Sequence, residues 1–448
     1  MLGYMRWTGV LLLLFGCGEV KAVVDAGGPG GEGGVDAPAD GPAVGEASVE
    51  VKLGGVATAG LHVVFNDSTG AVISEGMTNA SGIATATVHA NSMVTVAVGS
   101  EDLITVTGVN PEDHILLANP PPYDGTTVST VTFGSSSEAN GKSFYRADLG
   151  DDQYVTAINM TSGTRTLTLP RANIDAAGKI HMVAAVYNAS DALISYSFVT
   201  GFTPTINGTT NIVFPSNWRT DLTNINITLS GAPADATLLA VDSANEQSGF
   251  LFAPSSFAGS DQASVTGGQA AVIVPYLGSF GDFVQTTAEL RFSMSNDRFR
   301  FSRRVPRPAG AFVLGSTDMP PRLGAAALDS STATRPVASW TTTGTATGGD
   351  AIIATLAWRD AGGGSYRWHV YVPPDATTVT FPAVSNAMAP QAPAQTSIFN
   401  ILEVTHHSLD PLNGYDAFRQ APPIDFENAF DMPLGFSRWV TSSTRATL

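Results

Sequence analysis

Apolar and polar side chains alternate with a period of two through most of the chain beyond residue 47, and that alternation predicts strands. Val49, Val51 and Leu53 share one face over 48–53, and Leu61, Val63 and Phe65 share one face over 60–66. Asp67-Ser68-Thr69-Gly70 and Asn79 to Gly82 read as turns, with further strands over 72–74, 83–88 and 94–98. Eight short strands follow over 127–133, 143–146, 154–160, 165–169, 180–187, 193–198, 211–214 and 224–229. That number suffices for a two-sheet sandwich. Both faces of 180–187 are apolar, which marks a central strand. Strands are also predicted over 236–241, 249–252 and 270–274, and then over 341–347, 351–358, 365–372, 377–381, 398–405 and 436–442. Between these groups lies a hairpin across Ser295-Asn296-Asp297. Leu290, Phe292, Met294, Phe299 and Phe301 occupy one of its faces, and Arg291, Arg298 and Arg300 the other.

The opening 47 residues break the pattern. Arg6 precedes an apolar run over 10–15 that ends at Gly16-Cys17, the order of a secretory signal. A membrane-spanning helix needs about 18 or more apolar residues, and this run is far shorter. Residues 18 to 47 are dominated by glycine, proline, alanine and acid without one aromatic, a composition that predicts a disordered spacer. Cys17 is the only cysteine, so no internal disulfide forms. Leu14-Phe15-Gly16-Cys17 resembles the lipobox of bacterial lipoproteins, with Phe15 where a small or β-branched residue is usual. The resemblance implies a signal peptide over 1–16 and an acylated Cys17 that anchors the chain in a lipid bilayer. Two or three acyl chains at about 0.8 kcal/mol per buried CH₂ make such an anchor effectively permanent. Gly18 rather than Asp follows Cys17, which in that family implies the outer membrane, periplasmic or surface-facing.

Residues 48–107 resemble bacterial Ig-like and carboxypeptidase-regulatory-like (prealbumin-like) domains. The shared features are Gly60 to Phe65, Gly70, and Thr78 to Ala84, with Asn79 in the place of the usual turn aspartate. Such domains are stalks and spacers, so the resemblance implies no activity. The expected fold class is all-β, with tandem antiparallel sandwiches behind the tether. The expected units are 1–16 signal, 17–47 lipidated tether, 48–107 Ig-like sandwich and 108–125 linker, the last stiffened by Pro120, Pro121 and Pro122. Residues 126–231 form a second sandwich, and 232–335 and 336–448 form two further β-rich domains. This layout resembles that of surface lipoproteins of myxobacterium-like organisms.

Charge narrows the function. The formal net charge is −17, and only Lys21, Lys52, Lys142 and Lys179 are lysines. So acidic a chain repels a phosphate backbone, which excludes nucleic acid as the expected partner. Within it, Arg298, Arg300, Arg303, Arg304 and Arg307 form a basic patch beside Arg291. They either bind an anionic glycan or lipid headgroup, or pair with the chain's own acids and protect a strand edge. Three arginines side by side require carboxylates from a neighbouring strand or domain, or an anion. Asp148, Asp151 and Asp152 form an acidic turn, a candidate for weak Ca²⁺ binding set against a plain solvated turn. Otherwise no cofactor or metal is expected. His406-His407 is the one local histidine cluster, read as solvated loop residues, and adjacent strand residues point to opposite faces. No nucleophile elbow, His-Glu-x-x-His or phosphate-binding glycine pattern occurs. The expected function is therefore a non-enzymatic, surface-displayed lipoprotein that scaffolds or adheres, with surface glycan or other envelope proteins as partners. The alternative is a carbohydrate-binding or hydrolytic module in 232–448. It rests on Trp358, Tyr366 and Trp368 as glycan-stacking candidates and requires at least two coplanar, exposed rings.

Overall fold

Short alternating segments bounded by Gly and Asx turns leave little room for helices, and the chain folds as tandem antiparallel β-sandwiches. The computed structural model describes residues 44–118, 125–134, 144–150, 154–158, 164–188, 193–253, 261–293, 296–344, 349–420 and 436–448. Cys17, the lipobox and Pro120 to Pro122 lie outside the described residues.

The first unit comprises β1 (Val44–Leu53), β2 (Val56–Ala57), β3 (His62–Asn66), β4 (Val72–Met77), β5 (Ile83–His89), β6 (Ser92–Val98), β7 (Asp102–Val109) and β8 (His114–Ala118). One layer is β2-β1-β5 with β8 added to β1, and β7-β6-β3-β4 faces it. Two expected boundaries move. Residues 44–47, assigned to the tether, pair with β5, and Ala47 is buried in the core. Residues 114–118, assigned to the linker, pair in parallel with β1, because Ile115 and Leu117 bury beside Val49 and Val51.

The second unit comprises β9 (Thr127–Gly134), β10 (Phe144–Asp148), β11 (Tyr154–Ile158), β12 (Thr164–Pro170), β13 (Ile180–Tyr187), β14 (Leu193–Phe202) and β15 (Thr209–Ile212). Layer β12-β9-β15 lies on β11-β10-β13-β14. The third comprises β16 (Leu222–Leu229), β17 (Ala236–Gln247), β18 (Phe250–Phe252), β19 (Asp261–Ser264), β20 (Ala270–Leu277), β21 (Phe283–Phe292), β22 (Arg298–Pro306) and β23 (Phe312–Leu314). Layer β20-β16-β23 covers β17-β21-β22. β16 was expected in the second sandwich but pairs with β20 and β23, so the boundary falls before residue 222. In each of these three units the first strand pairs in parallel with the last: β1 with β8, β9 with β15, and β16 with β23.

The fourth unit comprises β24 (Arg322–Asp329), β25 (Val337–Thr343), β26 (Ala351–Arg359), β27 (Ser365–Val372), β28 (Thr378–Thr380), β29 (Ile398–Asp410), helix α1 (Tyr415–Gln420) and β30 (Arg438–Thr447). It takes in β24, which the expected 232–335 domain had included. β24 escapes a period-two reading because Ala325, Ala326 and Ala327 carry little β-propensity.

Spatial order departs from chain order. β27 pairs in parallel with β7 of the first unit, and β30 pairs antiparallel with β22 of the third. One 13-stranded sheet therefore runs from β18 and β17 through β22, β30, β29, β26 and β27 to β7 and β4. The second unit docks on the third: Val183 and Tyr196 bury against Phe250, Phe252, Leu277 and Phe280. This explains the two apolar faces of β13, one in its own core and one in the joint.

The fourth unit holds its neighbours with arginines. Arg322 bonds Asp235 and Asp297 of the third unit and lies 4.2 Å over the Phe292 ring. Arg367 pairs with Asp102 of the first. Arg419, almost fully buried, donates to Asp113 and to the Gly108 carbonyl. Trp368 Nε1 donates to Thr105 Oγ1 at 2.8 Å, inside the core. At Gly70 (φ +81°) the first unit approaches so closely that a Cβ would lie 3.1 Å from Pro382 Cα, and Ala383 N donates to the Gly70 carbonyl.

Breaking a buried pair leaves an uncompensated charge, so Arg419→Ala should cost about 3–5 kcal/mol. Arg367, 42% exposed, makes a surface pair, and Arg367→Ala should cost under about 1 kcal/mol. Urea unfolding of both variants checks the ranking, and equal losses would refute it.

Candidate functional site

The basic patch stands on a regular hairpin. β21 and β22 pair Leu290 with Phe299, Glu289 with Arg300 and Arg291 with Arg298. Leu290, Phe292, Phe299 and Phe301 all enter the third unit's core, with Phe292 and Phe299 edge-to-face at 5.2 Å. Met294 and Ser295 lie outside the described residues. On the opposite face one carboxylate serves three guanidinium groups. Glu289 accepts from Arg291 Nε at 2.6 Å and Arg300 Nη2 at 3.1 Å, with Arg298 Nη1 at 3.9 Å. Burial would raise the Glu289 pKa, but the hydrogen bond from Arg291 and the charge of Arg300 outweigh it and hold the carboxyl below its ordinary value. The carboxylate comes from the hairpin's own first arm, not from a neighbouring strand or domain.

The remaining arginines are also engaged. Arg304 bonds both oxygens of buried Glu246, at 2.6 and 2.7 Å, and stacks 3.6 Å over Phe283. Arg307 donates to the carbonyls of Gly278 and Gly281, and Arg303 to that of Ala311. Arg298 is the loosest of the six and is 54% exposed.

The aromatic platform is not presented. Trp358 and Trp368 are 1% and 0% exposed, in the core of the fourth unit. Tyr366 stacks on Trp358 at 5.8 Å and is only partly buried, so it offers a single ring. Parity along a strand places Tyr366 and Trp368 together but does not say whether their face meets water or another sheet.

Asp148 is consumed by structure: it pairs with buried Arg146 at 2.7 Å and accepts from Gly150 N. Asp151 and Asp152 lie outside the described residues. Among the described residues no three His, Cys, Asp or Glu side chains gather as metal ligands. His406 and His407 are not loop residues; they sit buried in β29, on opposite faces. His406 rests against Gly349, where any Cβ would collide with its ring, and among the described residues neither ring nitrogen has a hydrogen-bond partner. Trp439 Nε1 donates to His407 Nδ1 at 3.3 Å. Burial lowers the pKa of His406 to about 4, and burial together with the neighbouring His406 lowers that of His407 to about 3.

Sequence patterns also hide a Ser–His–Glu arrangement on the first unit. Ser48 Oγ lies 2.8 Å from His114 Nδ1, and His114 Nε2 lies 3.1 Å from Glu50. Sixty-six positions separate Ser48 from His114, so no local motif exposes the cluster. Relay order alone does not make acyl transfer. The Ser48 N–H donates to Asp113 O, β1 is paired on both sides, and Glu50 also holds Lys52, so this strand presents no free N–H pair to stabilise an oxyanion.

No protein family and no curated protein matches the chain. Among solved structures it is similar to the Bacillus anthracis TIE protein, at 11% identity and TM-score 0.14, over 61% of this chain and 50% of that one. It is also similar to a Ca²⁺-stabilized adhesin that helps an Antarctic bacterium bind ice, at 11% identity and TM-score 0.13, over 83% and 96%. A third is E. coli alpha-2-macroglobulin in its native conformation, at 10% identity and TM-score 0.12, over 90% and 28%. The chain thus spans about half the length of the TIE protein. At such scores the alignments carry no functional argument.

Two outcomes are expected. Phe292→Ala should cost about 3–5 kcal/mol as a core truncation, against under about 1 kcal/mol for exposed Arg298→Ala, measured by denaturant unfolding. As pH falls from 6.5 to 5, the unfolded chain gains protons at residues 406 and 407 that the folded chain refuses. Stability is therefore full above 6.5 and falls with acid, with a slope approaching about 1.4 kcal/mol per pH unit per histidine. His406→Leu should remove about half of that slope, and an unchanged pH profile would contradict this assignment.

Proposed function

We propose that this protein is a non-enzymatic lipoprotein, anchored through acylated Cys17 and displayed at the outer membrane as a rigid scaffold or adhesin. The observation that carries the scaffold reading is the parallel ladder between β7 and β27, which makes the first and fourth units one sheet. A flexible string of domains would transmit force only through its linkers. Here the ladder, the buried Arg419–Asp113 pair and the Trp368–Thr105 bond hold distant parts of the chain in fixed register. β1, the strand nearest the proposed tether, is hydrogen-bonded on both sides, so a pull on Val44 is resisted by two ladders.

The engagement of five arginines by carboxylates or carbonyls, and the buried tryptophans, favour a structural role for these residues over an active centre. The anchorage is tested by expressing the gene in a diderm host with a fatty-acid analogue. Label should appear in the wild type and in the outer-membrane fraction, and disappear in Cys17→Ser. An unlabelled wild type would refute the anchor.

A further inference from the structure

The long sheet has one face that its partner layers cover only in part. Leu356, Trp368, Leu402 and Val404 are fully buried on the other face. The side chains alternating with them point away from that core. At one end of this outer face α1 forms a small cap, with Phe418 packed among Ala351, Ile353, Leu409 and Trp439. Towards β7, Ile104 and Tyr371 pack against the core of the first unit.

Between these limits the ladders align Arg445 with Glu403, Glu403 with Thr355, and Thr355 with His369. Four polar side chains therefore form a row across β30, β29, β26 and β27, spaced by about 4.8 Å per strand. Arg445 is exposed and the other three are partly exposed. Ser443 and Thr405, paired with each other, extend the polar surface one step towards the arginine hairpin. Thr355 Oγ1 and His369 Nδ1 are hydrogen-bonded at 3.0 Å. Glu403 and Arg445 occupy directly paired positions, yet among the described residues no ion pair or side-chain hydrogen bond engages either. Water reaches both side chains, so their charged groups stand open to a ligand at the surface.

The geometry points to this row as a binding site for a neutral, hydroxyl-rich chain, an oligosaccharide lying across β30, β29, β26 and β27. The charges select neutrality: Glu403 repels an anion, while Arg445 and the exposed Arg298 at the edge of the same face repel a cation. A hydroxyl both donates to Glu403 and accepts from Arg445, which neither a phosphate nor an ammonium does. A peptide strand is disfavoured because all four strands except at their ends are paired on both sides, so no backbone edge is open to it. The row spans roughly 14 Å, enough for about three sugar rings.

The site rests on the adhesive form of the proposed function and gives it a ligand class. It is read without a membrane, so its failure would leave the Cys17 anchor untouched. The experiment titrates the full chain with cellohexaose, chitohexaose and maltohexaose by calorimetry, with oligogalacturonate as the anionic probe. At least one neutral hexasaccharide should bind with a sub-millimolar Kd. Glu403→Ala and Arg445→Ala should each weaken it about tenfold or more, with Glu403→Gln intermediate, and Glu75→Ala, remote on β4, without effect. Thermal unfolding of each variant reports whether the sheet is intact. The proposal is overturned if no neutral probe binds at millimolar concentration, if binding ignores both substitutions, or if oligogalacturonate binds more tightly.

Discussion

The parallel ladder of β7 and β27 is the constraint on which the rest of the architecture depends. Arg367 and Asp102, at its end, are 265 positions apart, and the second and third units lie within the loop it closes. Loop-closure entropy rises only logarithmically, by about 0.6 kcal/mol per doubling of length, so so long a loop is thermodynamically tolerable. Its kinetic consequence is larger, because loop-closure entropy must be paid before contacts this distant stabilise the chain, which slows folding. Once formed, the ladder is sealed by groups that would be costly to leave unpaired: Trp368 Nε1 on Thr105, and Arg419 on Asp113.

The scarcity of lysine acquires a structural meaning at these joints. Arg322, Arg367 and Arg419 all belong to the fourth unit, and each meets aspartates of a neighbouring unit. A guanidinium is planar, offers several donors and stacks on rings, as Arg322 does on Phe292 and Arg304 on Phe283. An ammonium has three donors but no planar fork, so it cannot bond a carboxylate side-on while its flat face lies on a ring. The surplus of acids is thus partly a set of sockets for arginine. The same exchange occurs within the hairpin, where Glu289 lets Arg291, Arg298 and Arg300 share one face.

Much of the fold was legible in period-two alternation, because within one strand the distinction between core and solvent is local. Leu290, Phe292, Phe299 and Phe301 declare their common face without any knowledge of the partner layer. The joints were not legible, because they depend on residues hundreds of positions away. β13 looked merely central, whereas its second face meets Phe250 and Phe280 of another unit. Trp368 looked equally suited to a binding platform and a core, and only the neighbouring layer decides between them. β24 is illegible because alanines give alternation no contrast, and β8 because a proline run nearby points to a linker. The polar row was hidden for the same reason as the joints. Arg445, Glu403, Thr355 and His369 come from four strands, and nothing local relates them.

The open face follows from how the sandwiches overlap. The layer β24-β25-β28 lies over β26, β27 and β29, and its Val379, with Phe381 just beyond β28, shares a core with Leu103 and Val64 of the first unit. The layer built on β1 and β5 covers β3, β6 and β7 from the opposite side. The third unit's layer lies on the same face as the fourth's, because Phe301 pairs with Val440 and Val440 with Ser408, in phase with Val404 and Leu402, so the first unit alone is covered from the opposite side. Among the described residues, the cap formed around α1 is what covers the outer face of β29 and β26, and it covers one end of it. An uncovered apolar face there would invite aggregation. Polar side chains on it remove that hazard, and in Glu403 and Arg445 they keep charged groups that no side-chain hydrogen bond or ion pair engages among the described residues.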